Sequence, residues 1–204
     1  MLTIIRHPEL YAAPSNAFYR YLREFWSEPG KGEGVVCLFP TQPLLEEWEK
    51  EILAAYGSFG GGHFLLFDGL VRQIWEETRS NWGQISGITA ELILRRVFQS
   101  LKEEGKIPYH AGAFDSPGFF SALRTELTSL KQGGITAKQF AAWAEDENGY
   151  GRQRQSNREF SLIYTEYQRF LTENQLADAE DRLALSAMDQ ASSLWVKSLR
   201  RVFA

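Results

Sequence analysis

Three arginines, Arg152, Arg154 and Arg158, fall within the stretch GYGRQRQSNRE at 149–159, beside Tyr150 and with no acid among them. Cations next to an aromatic ring in a loop supply backbone contacts and base stacking for a single strand of nucleic acid. The competing reading is a solvated loop between helices, and the acids at 145–147 next door favour it. A second candidate is the pair Thr41 and Gln42 in FPTQPLLEEWEKEI, residues 39–52, between a buried strand and a helix. Small polar side chains and free N–H groups at a helix mouth can grip a backbone phosphate. On the residues alone an ordinary helix start is the better reading. Pro43 belongs in a first turn, and Glu46 and Glu47 suit the dipole while opposing a phosphate.

Other chemistry finds no footing. A Walker A loop needs glycines that let the backbone wrap phosphates, then a lysine and a hydroxyl. PGKGEG at 29–34 precedes a strand, with glycine after Lys31, and Gly105-Lys106 follows a helix. Asp178, Glu180 and Asp181 in LADAEDRL resemble a metal site only by crowding. They belong to one first helical turn, where they complement the dipole, whereas metal-dependent hydrolysis draws carboxylates from separate elements. His7, His63 and His110 lack zinc-site spacing, and there is no G-x-S-x-G. We therefore assign no catalytic, metal-binding or cofactor-binding residue and expect no ATP hydrolysis.

The elements that would position these residues are legible from apolar runs. Leu2–Ile5, Val35–Phe39 and Phe64–Phe67 are continuous rather than alternating, as in strands of a parallel sheet buried on both faces. Each precedes a helical pattern: Phe18, Tyr21, Leu22 and Phe25; Leu45, Trp48, Ile52 and Ala55; then Leu70, Val71, Ile74 and Trp75, with Asp68 as cap. Such alternation predicts right-handed crossovers. From about Ile88 the pattern is helical for a hundred residues. Leu94, Val97, Phe98 and Leu101 share one face, and Ser116-Pro117 opens a helix carrying Phe120, Leu123, Leu127 and Leu130. Thr136 and Gln139 have capping-box spacing, Asn157 is placed to cap a long helix from Phe160 to Phe170, and Asp178 caps another. Val202-Phe203 turns apolar again and is expected to be a strand cut off part-way.

Composition narrows the class. The 204 residues are 44% hydrophobic and 14% aromatic, ample for a packed core, and a formal charge of −4 confines any nucleic-acid contact to a local patch. No apolar run approaches the roughly 18 residues of a membrane span. The lone Cys37 lies within an apolar run, as a small buried hydrophobe. A soluble cytoplasmic α/β protein is expected.

The order of the pieces is more specific than any one of them. VVCLFPTQPLLEEWEKEIL, FLLFDGLVRQIWEE, ELILRRVFQSL, FFSALRTELTSLKQGGITAKQF and EFSLIYTEYQRFLTENQLADAEDRLALSA follow one another. This succession, from about Val35 to Met188, resembles the N-terminal part of AddB-type (RexB-like) subunits. These are the B subunits of ATP-dependent helicase–nucleases that process double-strand breaks. The resemblance implies a P-loop, superfamily 1 helicase-like α/β domain (1A-type, a parallel sheet) interrupted by a large all-helical (1B-type) insertion. Its expected limits are 1–85 for the core, 86–192 for the insertion and 193–204 for the return. It implies an AddA-type helicase subunit and single-stranded or unwinding DNA as partners, and places Thr41 and Gln42 where helicase cores touch the DNA backbone. Many members begin with GxxGxGK[ST]; here His7-Pro8-Glu9-Leu10 and Ala12-Ala13-Pro14-Ser15-Asn16 stand instead. An inactivated motor is the expectation. Family B subunits carry a nuclease, often with an iron–sulfur cluster, towards their C-terminus; no residue here matches that part, and no cofactor is implied for this stretch.

Two other functions compete with a DNA-guiding scaffold. Tryptophans at 26, 48, 75, 82, 143 and 195 would suit a pure protein-interaction module. An unfamiliar nucleotide-binding loop would make the chain an enzyme.

Overall fold

A computed structural model describes residues 34–57, 62–146 and 151–203. The opening strand, loop and helix, Tyr150 and most of PGKGEG lie outside the described residues. The chain is mixed α/β, largely helical, with small parallel sheets. It divides into two compact units: the described residues of Met1–Ser80 with those of Ser186–Ala204, and Asn81–Leu185.

The first unit is built around β1 (Val35–Phe39), α1 (Gln42–Tyr56), β2 (Gly62–Leu66) and α2 (Phe67–Thr78). β1 is the central strand, parallel to β2 with Val35 opposite Gly62 and Phe39 opposite Leu66. On its other edge runs β5 (Arg201–Phe203), also parallel, with Val35 opposite Arg201. Val35, Val36 and Cys37 are buried, as a continuous apolar run requires between two covered faces. Burial pushes the Cys37 thiol strongly up, so it acts as an inert hydrophobe. Phe39 meets Phe64 edge-on at 5.4 Å, and Trp48, Ile52, Ile74 and Trp75 complete the core. Gly34 supports the β1–β5 junction: its φ of +73° lies in the left-handed region, and its carbonyl accepts the Arg200 N–H at 2.7 Å.

The second strand starts at Gly62 rather than Phe64, and its junction with the next helix also differs from the sequence expectation. Phe67 opens α2 instead of ending a strand, and Asp68 lies in the helix's first turn rather than capping it. There its charge still complements the dipole. Farther along, Glu77 accepts from the Ser193 hydroxyl and from the Leu194 N–H at 2.7 Å, tying α2 to α8 (Leu194–Ser198).

The second unit is helical apart from the short parallel pair β3 (Gly83–Gln84) and β4 (Leu176–Ala177). Its helices are α3 (Gly87–Glu103), α4 (Phe119–Gln132), α5 (Ala137–Asp146) and α6 (Arg152–Glu173), with α7 (Ala179–Asp189) running out across its boundary. One apolar cluster, including Leu94, Phe98, Leu101, Leu127, Ile163 and Leu171, joins α3, α4 and α6. α4 starts at Phe119 rather than at Pro117, because Gly118 adopts φ +75° and breaks the helical path there. The Thr136 capping box is present: the Gln139 side chain accepts from the Thr136 N–H at 2.9 Å, and the Thr136 hydroxyl from the Gln139 N–H at 3.2 Å. Asn157 is no cap. It sits inside α6, whose N-cap is Gly151, and its side chain accepts from Gln153.

Candidate nucleic-acid interface

The N-terminal turns of α6 carry the three arginines, in helix rather than in the loop expected from sequence. Arginine and glutamine are good helix formers, and a buried acid fixes these turns to the rest of the unit. Glu159 is 1% exposed and accepts from the Tyr109 and His110 N–H groups at 2.9 Å each and from Gln155 at 2.7 Å. Its second oxygen also lies 3.0 Å from His110 Nδ1, and Ser156 Oγ is 3.3 Å from His110 Nε2. Burial raises the Glu159 pKa, but these hydrogen bonds outweigh it and hold the carboxyl below its ordinary value.

Helical spacing decides which arginines act together. Arg154 and Arg158, four residues apart, share a face, whereas Arg152 projects from a different side of the helix. Arg152 is exposed and Arg154 half-buried. Arg158 approaches Glu145 at 3.5 Å, with Glu145 74% exposed, a weak surface pairing. The first turn of α6 holds no acid. Cations there face the positive end of the helix dipole, an arrangement disfavoured by about 0.3–1 kcal/mol each unless an anion intervenes.

Thr41 is the N-cap of α1, extended at φ −142° and ψ 150°, exposed, with its hydroxyl making no capping bond. The Gln42 amide is turned along the helix to Glu46 at 3.1 Å. No acid lies in the first turn of α1, so Glu46 and Glu47 belong to the second and oppose an anion less than the sequence implied. Thr41 and Gln42 lie in the first unit and the arginines in the second, where Arg154 and Arg158 share a helix face.

The acidic stretch is a structural lock. Asp178 caps α7 through the Asp181 N–H at 2.9 Å, and Lys131, its side chain 6% exposed, reaches Asp178 at 2.5 Å and Asp181 at 2.9 Å. Tyr167 donates to Asp178 at 3.1 Å. Burial and the Asp178 charge raise the Asp181 pKa against the pull of Lys131. Among the described residues no group of three His, Cys, Asp or Glu side chains is placed to hold a metal. Sequence reasoning missed both Glu159 and Lys131. The available signal for Glu159 was its position four residues before Ile163, an acid on the apolar stripe of α6.

A model of the family described as ADDB, N-terminal, matches residues 15–200. No curated protein matches the chain.

Proposed function

The chain belongs to the AddB N-terminal family, and on that premise we propose that it is a non-catalytic, helicase-like scaffold that guides single-stranded DNA. Membership of an AddB-type subunit ties it to DNA repair; its partner in this reading is an AddA-type helicase. The parallel order β2–β1–β5, with α1 opening directly after β1, is compatible with a P-loop helicase core. In that layout Thr41 and Gln42 stand at the strand-to-helix turn and touch the DNA backbone. Motor chemistry is assigned to no residue here.

The observation that carries the reading is the set Arg152, Arg154 and Arg158 in the first two turns of α6, without an acid in the first turn. Cations that oppose the helix dipole are better accommodated when a phosphate neutralises them, and the helix N-terminus itself favours that anion. The test is fluorescence anisotropy of a labelled oligothymidylate at low and moderate salt. Wild type should bind in a salt-sensitive manner and the Arg152→Ala/Arg154→Ala/Arg158→Ala variant should lose most of it. Absence of wild-type binding at low salt refutes direct DNA contact.

A second reading, docking to a protein without DNA contact, draws on Trp143, which is 49% exposed, and on Ile88 and Leu92, at 77% and 62%. Sedimentation of the chain with its cognate helicase subunit decides it: no complex removes this reading.

A further inference from the structure

α3 carries two cations whose placement the arginines of α6 do not explain. The Arg95 guanidinium lies over the Phe120 ring, 4.4 Å from its centroid, and 5.3 Å from that of Phe114. Lys102 Nζ lies 5.1 Å from the Phe114 centroid. The rings are fixed: Phe120 is 4% exposed, and Phe98, Phe114 and Phe120 pack within 6.0 Å of one another by centroids.

Both cations are exposed, and among the described residues neither makes an ion pair. The neighbouring acids of α3 are engaged elsewhere: Glu91 accepts from Arg124 at 3.0 Å and Glu103 from Gln99 at 3.0 Å. Glu104 holds Lys106 at 2.6 Å. Asp115, beside Phe114, is exposed.

We propose that Arg95 and Lys102, braced on the Phe114–Phe120 pair, form a second contact site for the phosphate backbone of a single-stranded nucleic acid. The proposal rests on the nucleic-acid reading above and adds a place on α3 to it. The Phe120 ring beneath it restricts the guanidinium, and the exposed Arg95 keeps its fork of N–H donors for phosphate oxygens. Lys102, seven residues on, adds a point charge about 10 Å along the helix, which matches two different phosphates of one strand rather than a single anion. A phosphodiester backbone carries charge at every nucleotide and meets both cations whatever its sequence. An acidic peptide meets both only with acids at matching spacing.

The experiment is anisotropy of fluorescein-labelled dT20 with the full chain across a salt series. Each phosphate contact on a single strand contributes about −0.7 to the slope of log K against log salt. Arg95→Gln/Lys102→Gln should therefore flatten the slope by about 1.4 and weaken low-salt binding. Lys102→Gln alone, which leaves the ring-stacked arginine in place, should flatten it by about 0.7 and serves if circular dichroism shows the double variant unfolded. An unchanged slope in these variants, with binding still lost in the α6 triple alanine, overturns the α3 site and leaves the general reading standing. No binding by wild type overturns both. Equal competition by polyglutamate, charge for charge, overturns the phosphate assignment in favour of an acidic protein segment.

Discussion

Glu159 is the residue whose loss has the most definite consequence. Glu159→Ala strands the Tyr109 and His110 N–H groups and leaves a cavity, so a loss of about 2–4 kcal/mol is expected. Urea denaturation would read it as a lower midpoint with an unchanged slope. The sign of its pH dependence follows from its lowered carboxyl pKa. The stabilisation is fully present above the unfolded-state value, about 4.3, and is lost as pH falls through the folded-state value. Wild type should therefore lose stability in acid more steeply than Glu159→Gln. Asp181, raised by burial and by Asp178, has the opposite sign: its contribution is present in acid and is lost as pH rises through its folded-state value. Lys131→Met leaves two half-buried carboxylates unneutralised and should cost about 2–4 kcal/mol at neutral pH. Acidification, by protonating Asp181, should recover part of that deficit, which a urea midpoint series would detect. Neither residue was legible as an anchor, because charge and helix position are local signals while their partners come from other elements. His110 lies 49 positions from Glu159, and Asp178 lies 47 from Lys131.

At the level of elements, local chemistry predicted the structure where local chemistry was sufficient. The Thr136–Gln139 box is a self-contained exchange of two hydrogen bonds, and Val35–Phe39 is an uninterrupted apolar run; both are found as expected. The start of α6 was misplaced because residues 152–158 are polar and lack the stripe that marks the rest of the helix. The two-residue strands β3 and β4 had no apolar run to reveal them. Two substitutions test element ends. Thr136→Ala should destabilise by about 1 kcal/mol through loss of the cap, read from the thermal midpoint. Gly34→Ala should cost more, about 2 kcal/mol or above. Its Cβ would lie 2.6 Å from the Ser198 carbonyl oxygen, and its φ is one that side-chain-bearing residues rarely adopt. An unchanged melting temperature in Gly34→Ala would mean that the β1–β5 junction contributes little.

For the whole molecule, the mixed α/β class and the parallel pairing were legible from strand composition and order, whereas the limits of the two units come from tertiary contacts that no sequence window contains. The helical unit's apolar cluster is drawn entirely from Asn81–Leu185. A protein of residues 81–185 should therefore fold by itself, with a helical circular dichroism spectrum and a cooperative urea transition; a non-cooperative melt would show that it depends on the remaining chain. Its intervening position also imposes an order in time. β5, which follows that unit in the chain, pairs with β1, and chains emerge from the ribosome at about 5–20 residues per second. For roughly seven to twenty-seven seconds a nascent β1 can already pair with β2 while the edge reserved for β5 stands open. During synthesis that edge is open to wrong partners, and the helical unit can finish folding before β5 joins the sheet.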